Sequence, residues 1–409
     1  MARIAFAWEL GSSIGHVLSC AGLARALHAR GHSIALMLRE LGPVALVPES
    51  KGYAVFEAPR SLREGIVAAI PVSYAEILLG CGWRDAQELG GLLRGWRTLL
   101  NDWKPDLLVA DFAPTALLAA SSLGLARVTY GNGFFTPPRL SPLPPFRVDT
   151  PPEPARLAAA DGEALAQANA ALAAVGRPRL ERLADAFAAD EDFLCTFPEL
   201  DHYGSRPVSG YWGPRLRTDL GNPMAWPEGG GKRVLVYVQN KLPQLDALID
   251  TLVASPHRVI AYIPGLDEAR RARLAGRGRV VIERPVRLDI VLARTDLLVC
   301  HGGEIAAGAV ASGVPTLVFP THYEQYLLAR RLEQLGAGGW FPVTANAASV
   351  QAGVRAMTED PRYLANARAF AQRYRAWSPQ EQRRRIVVRI EELLSRPSPS
   401  PILSPSPAA

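Results

Sequence analysis

The sequence predicts an α/β chain built from two doubly wound, Rossmann-like parallel sheets, and three observations carry that reading. Short apolar runs alternate with segments of helical periodicity, the pattern of strand and crossover helix in turn. The alternation stops near Gly221-Asn222-Pro223 and Gly229-Gly230-Gly231 and then starts afresh. The length, 409 residues, suits two domains that each bury a core.

In the first half, strands are expected at 3–8, 33–38, 53–56, 106–110 and 126–130, with helices at 16–30, 42–51, 84–103 and 113–123 between them. Prolines over 137–154 interrupt the pattern. Ala-rich helical stretches at 155–174 and 178–189 follow, then a strand near 192–196. After the glycine cluster, strands are expected at 233–238, 258–263, 279–282, 296–300 and 315–319. Helices at 243–254, 266–276, 287–294, 304–312 and 322–335 alternate with them, and three more (347–358, 360–376, 379–394) close the folded part. The expected division is a first domain at 1–213, a linker at 214–231, a second domain at 232–376 and a final helix at 377–395. The Ser/Pro run 396–409 cannot form a packed core and is expected to be disordered.

Hydrophobic residues at 48% and charged residues at 21% are globular values and argue against a chain that stays unfolded. The 45 basic and 39 acidic residues give +6, without a basic stripe interleaved with aromatics, so nucleic acid is not an expected partner. Cys20, Cys81, Cys195 and Cys300 are far apart, with no spacing for a disulfide framework or a zinc site, which fits a reducing cytoplasm. Met1 leads straight into the apolar run Ile4 to Trp8 with no basic leader and no cleavage signal. No run reaches about 18 apolar residues, so any membrane contact is expected to be peripheral.

In open sheets of this kind strands 1 and 4 lie side by side, and ligands bind beyond their carboxyl ends. That rule selects residues by position alone. In the first half it brings together Gly11-Ser12-Ser13-Ile14-Gly15-His16 after strand 1 and Asp111 at the end of strand 4. His16 stands in a first helical turn, where the dipole favours the neutral imidazole of a general base, and Asp111 can fix its tautomer. Each could instead serve as a helix cap, a reading that their shared place at the reversal of strand order disfavours. In the second half the rule selects Gln239-Asn240, His301-Gly302-Gly303 and Glu324-Gln325. The His-Gly-Gly turn opens a helix whose free N–H groups suit an anion, although the tripeptide is weak evidence by itself.

Taken in order, GSSIGHVLSCAGLARALHARGH (11–32), PDLLVADF (105–112) and LVCHGGEIAAGAVASGVPTLVFPTHYEQYLLARRLEQLGAG (298–338) resemble the GT-B-fold glycosyltransferases of the UDP-glycosyltransferase (family 1) type. The resemblance spans roughly residues 1–340. It implies two domains facing each other across a cleft, with the last helix returning to the first. It implies His16 as catalytic base, Asp111 as its partner, His301, Gly302 and Gly303 as pyrophosphate contacts, and Glu324 and Gln325 as holders of sugar hydroxyls. The reaction it implies is a metal-independent inversion by single displacement, with the nucleotide sugar as co-substrate and no further cofactor. Glu304, Gln239 and Asn240 complete the expected donor site.

The chain also departs from that pattern. A Glu304-Ile305-Ala306 segment stands where the family carries a hydroxyl that contacts phosphate, and Gly308 is nearest to the place of the glutamate that contacts ribose. Glu304 either turns away, towards ribose, or obstructs the diphosphate by competing for the helix dipole. The expected function is transfer of a sugar from a UDP- or dTDP-sugar to a hydroxyl of a small apolar acceptor. The competing expectation is a degenerate homologue that binds a nucleotide sugar or lipid without transfer. A dinucleotide oxidoreductase is disfavoured, because only Gly11 and Gly15 of a GxGxxG pattern are glycines. Trp83, Phe134, Phe135 and Phe146, in the stretches 57–104 and 131–154, are the expected acceptor contacts, with plain core as the equal alternative for each.

Overall fold

The computed structural model describes residues 1–11, 14–61, 70–146, 152–207 and 210–396. They fall into two compact units, Met1–Cys195 joined by the residues from Gln380 on, and Thr196–Pro379.

The first unit runs β1 (Arg3–Trp8), α1 (Ile14–His28), β2 (Ser33–Leu38), β3 (Ala54–Glu57), α2 (Tyr74–Leu79), α3 (Ala86–Trp103), β4 (Leu107–Asp111), α4 (Pro114–Leu123), β5 (Arg127–Gly131), α5 (Pro154–Ala173) and β6 (Glu191–Leu194). Its six strands are parallel in the order β3-β2-β1-β4-β5-β6. Helices on both faces bury β1, β2 and β4 almost completely, which is why these strands read as continuous apolar runs. In the β1–β4 register Trp8 lies opposite Asp111. The capping chemistry is local: Asp85 accepts from the Glu88 N–H to start α3, and Gly124 in the left-handed conformation ends α4.

The second unit repeats the plan with β7 (Arg233–Tyr237), α6 (Leu245–Ala254), β8 (Arg258–Tyr262), α7 (Glu268–Leu274), β9 (Arg279–Ile282), α8 (Leu288–Val291), β10 (Leu297–Cys300), α9 (Gly303–Ala311), β11 (Thr316–Val318), α10 (Tyr323–Gln334), β12 (Gly338–Trp340), α11 (Ala347–Glu359) and α12 (Pro361–Arg373). The order is β12-β11-β10-β7-β8-β9, again all parallel. β10 beside β7 reproduces the reversal of strand order that β4 beside β1 makes in the first unit.

The last helix, α13 (Pro379–Ser395), packs on the first unit, where Arg389 pairs with Glu191 at 2.6 Å and Glu391 with Arg30 at 2.7 Å. Ile386 and Ile390 on the same helix are fully buried. Of the expected disordered run, residues 397–409 lie outside the described residues. Among the described residues no helix is long and apolar enough to cross a membrane.

Four expectations are corrected. The boundary falls after Cys195 rather than after 213, because the segment that follows packs on the second sheet. Phe197, Leu200 and Leu216 lie in that unit's core, with Met224 and Trp226 against it, so 214–231 is no free linker. The helix expected at 42–51 is two 3-10 turns, Gly42–Leu46 and Pro48–Gly52, since Pro48 has no N–H to continue a helix and restricts Val47. Within 178–189 only the 3-10 turn Leu183–Phe187 forms, because the Asn169 side chain bonds both the N–H and the C=O of Leu180 and holds the connector open. β12 was not expected at all, since two of its three residues are glycines and carry no strand pattern.

Candidate functional site

In the first unit β1 and β4 deliver the pair that their positions imply. His16 Nδ1 lies 3.0 Å from Asp111 Oδ2, and the two side chains are 7% and 0% exposed. Asp111 could have capped the helix that follows it, but that role is taken by Glu9. The Glu9 Oε2 atom accepts from the N–H groups of Thr115 at 2.8 Å and Ala116 at 3.3 Å, in the first turn of α4. Asp111 thus does not cap α4 and faces the imidazole, with the Cys20 thiol also donating to its Oδ2 at 3.7 Å. With Nδ1–H donated to the carboxylate, Nε2 is the nitrogen that can accept a proton.

The imidazole plane is held by aromatic neighbours. Trp8 stacks on it at 5.3 Å and 15°, with the indole Nε1 itself donating to the Leu10 carbonyl at 2.7 Å. Phe135 lies at 4.9 Å and Phe112 at 6.3 Å. Phe112 has φ +49, a left-handed backbone that a bulky residue adopts at a cost of about 1–3 kcal/mol. Its carbonyl is held by the Leu10 N–H at 2.9 Å. Gly11 has φ +79, and a Cβ there would sit 3.3 Å from His16 Nε2. The glycine keeps open the space beside the nitrogen that Asp111 does not use.

Only one of the expected acceptor contacts stands beside this pair. Phe135 is half-buried against His16. Phe134 is buried between Phe112 at 6.2 Å and Phe146 at 5.4 Å. Trp83 and Phe146 are corrected to core residues at 0% and 1% exposure, and the Trp83 indole donates to Thr115 Oγ1 at 3.0 Å. A small cavity is lined instead by Tyr74, Phe112, Leu117, Phe135, Pro137 and Arg139, most of them unanticipated.

In the second unit His301 follows β10. Its Nδ1–H donates to the Phe319 carbonyl at 2.7 Å, and Nε2 accepts from the Gln239 N–H at 2.7 Å. Burial holds the ring's pKa below the ordinary histidine value, which suits this neutral, two-bond arrangement. The ring ties the ends of β7, β10 and β11 together and sets the course of the Gln239 backbone. Gly302 (φ +116) and Gly303 (φ +68) then open α9 without a side-chain cap. Nothing lies within 4 Å of a Cβ built at Gly303, whereas one at Gly302 would press on Gln325 Cβ at 3.1 Å. The N-terminus of α9 is left open to an approaching anion.

Glu304 turns to Arg215. Its Oε2 accepts from the Arg215 N–H at 2.6 Å and its Oε1 from Arg215 Nε at 3.1 Å, and the Arg215 side chain is 1% exposed. Burial pushes the Glu304 carboxyl up against the pull of this guanidinium. The ribose-contacting glutamate has no counterpart at Gly308, because a Cβ there would meet Leu216 Cδ2 at 2.4 Å. Glu324 is buried with His202 Nε2 at 3.2 Å. The Gln325 Oε1 atom accepts from the N–H and hydroxyl of Thr321 at 2.8 and 3.0 Å. The Gln239 side chain is exposed, and Asn240 Nδ2 donates to the Gly265 carbonyl at 2.8 Å. His202 and Arg215 escaped sequence reasoning, since they stand in an aperiodic stretch far from their partners. Among the described residues no group of three or more His, Cys, Asp or Glu side chains is arranged to hold a metal ion.

The architecture matches solved glycosyltransferases along nearly its whole length. The glycotransferase of kitacinnamycin superposes with a TM-score of 0.68 at 20% identity, covering 96% of this chain and 98% of that one. Spinosyn rhamnosyltransferase SpnG, solved with spinosyn aglycone and with thymidine diphosphate, gives 0.64 at 17% identity over 96% of this chain and 100% of its own. The chain has the fold of GT-B glycosyltransferases and is similar to those of the UDP-glycosyltransferase (family 1) type. More particularly, residues 246–402 match the family described as erythromycin biosynthesis protein CIII-like, C-terminal domain. L-demethylnoviosyl transferase of Streptomyces niveus is 29% identical over 377 residues, covering 88% of this chain and 90% of that protein.

Proposed function

We propose that this protein moves a sugar from a UDP- or dTDP-sugar to a hydroxyl of a small apolar acceptor, with inversion at the anomeric carbon and without a metal. The observation that carries the reading is the 3.0 Å pair of His16 and Asp111, with Asp111 relieved of capping duty by Glu9. His16 Nε2 takes the proton of the acceptor hydroxyl as its oxygen attacks the anomeric carbon. The bond from that carbon to the diphosphate oxygen breaks, and the nucleoside diphosphate leaves with both electrons. The N-terminus of α9, capless behind Gly302 and Gly303, suits the negative charge of that leaving group. Asp111 stabilises the imidazolium that forms. The thymidine diphosphate in the SpnG structure supports the dTDP-sugar of these two donors.

A second reading, a homologue that binds a nucleotide sugar or lipid without transfer, is favoured by one feature. Both His301 nitrogens are engaged within the protein, and the helix after them carries Glu304 in place of a hydroxyl. Donor binding is tested first, by calorimetric titration with UDP, dTDP and GDP and with their glucose conjugates. UDP- or dTDP-glucose is expected to bind more tightly than GDP-glucose. Binding of none of the six would remove the donor site, and with it both readings as nucleotide-sugar proteins.

A further inference from the structure

Glu9 follows β1 directly and is 2% exposed. Its Oε2 atom accepts from the N–H groups of Thr115 and Ala116, on a helix without a cap of its own, since Ala113 stands at the N-cap and Pro114 at the first helical position. Thr115 and Ala116 are fully buried, so water cannot take over from that carboxylate. An acceptor from the protein is therefore needed there, and the first turn of α4 carries no acid. The nearest acid before it in sequence is Asp111, four residues ahead of Thr115, with Phe112 at φ +49 turning the chain between them. Two acids and two tasks thus meet at the ends of β1 and β4, and the structure gives the cap to Glu9 and the imidazole to Asp111. The segment around Glu9 carries more of the site. Trp8 before it stacks on the His16 ring, Leu10 after it donates its N–H to the Phe112 carbonyl, and Gly11 leaves the space beside His16 Nε2. The Glu9 side chain pins this segment to α4 from its middle.

We propose that Glu9 is a positioning residue for catalysis: by capping α4 it keeps Asp111 on Nδ1 of His16, and it touches no substrate itself. The inference rests on reading His16 as the base of the transfer. Without the cap, two buried N–H groups draw the Asp111 carboxylate towards the positive end of α4. The imidazole then loses the partner that fixes its tautomer. An amide oxygen accepts the same bonds, so the position needs an acceptor of glutamate's length and not its charge.

Full-length native protein, Glu9→Ala and Glu9→Gln are compared by proton NMR in the far-downfield region, where the His16 Nδ1–H bonded to Asp111 is assigned by its absence from His16→Ala. The resonance is expected in native protein and in Glu9→Gln, and is expected to be lost or displaced in Glu9→Ala. Turnover of UDP-glucose or dTDP-glucose with small phenols should follow it, falling about tenfold or more in Glu9→Ala, a part of what a positioned base supplies, and largely recovering in Glu9→Gln. The donor KM should stay within about twofold. In an Asp111→Asn background, Glu9→Ala should cost less than about twofold, because the residue that Glu9 serves is already gone. Loss of a cap lowers the melting temperature whatever Glu9 does for His16, so stability is not the readout. No such resonance in native protein, an unmoved one in Glu9→Ala, a Glu9→Gln protein as impaired as Glu9→Ala, or the same loss of turnover in both backgrounds would overturn the proposal. Should Glu9→Ala fail to fold, Glu9→Met, of similar length but without an acceptor oxygen, takes its place with the same outcomes. Failure of the underlying reading looks different: the resonance responds to Glu9 as expected, while native protein transfers glucose to no phenol.

Discussion

His16→Ala is expected to lower turnover by about 10²- to 10⁴-fold, the range for loss of a positioned general base, while sugar-nucleotide affinity stays nearly unchanged. The separation follows from where the residue sits. His16 bonds Asp111 and lies against Trp8, Phe112 and Phe135, all in the first unit. Asp111→Asn keeps the shape of the buried side chain but presents an amide that can favour the wrong tautomer, so a comparable loss is expected. The double variant should be little worse than either single one, because the two groups act as a unit. Additive losses in steady-state kinetics would mean that the 3.0 Å contact has no part in the chemistry.

The second large effect is on stability. Glu304→Ala is expected to destabilise the fold by about 3 kcal/mol, the scale for breaking a buried ion pair from one side. The Arg215 side chain is 1% exposed, and the substitution takes away the carboxylate that accepts from both its Nε and its backbone N–H. Glu304→Gln keeps an acceptor for the backbone N–H and should lose less. Burial already pushes the Glu304 carboxyl up, so the ion pair as a whole is expensive to bury. Replacing both partners, Arg215→Met with Glu304→Leu, is therefore expected to recover most of the loss. Urea denaturation of the four proteins makes the comparison. A Glu304→Ala protein as stable as the native one, with weakened donor binding, would return Glu304 to the ribose.

The strand positions apart from β12, the two reversals of strand order and the partnership of His16 with Asp111 were legible in the sequence, because each depends on local periodicity and on a topological rule. β1 and β4 are apolar runs with ordinary loops, and the rule that puts them side by side also puts Trp8 opposite Asp111. What stayed hidden depends on packing between distant segments. Thr196 to Arg217 contains Pro198, Gly204, Pro207, Gly213 and Pro214 and shows no period, so nothing in it announces that Phe197, Leu200 and Leu216 belong to the second core. Arg215 and His202 travel with that segment to partners 89 and 122 residues away. The His-Gly-Gly turn was visible, but the partners of His301 are backbone groups of Phe319 and Gln239, which a tripeptide cannot disclose. Aromatic residues near a crevice do not reveal their depth, which is why Trp83 and Phe146 read as ligand contacts and are core. Residues 62–69 and 147–151, within the stretches expected to wall the acceptor, lie outside the described residues.

The most direct test of the central claim is the mass of the acceptor after reaction. Native protein and His16→Ala are incubated with UDP-glucose or dTDP-glucose and a panel of small apolar alcohols and phenols, and products are read by mass spectrometry. The account predicts at least one acceptor that gains the mass of one glucosyl unit with the native protein, at a rate at least about a hundredfold lower with His16→Ala. Tight binding of a sugar nucleotide with no acceptor modified, or equal product from both proteins, would contradict it.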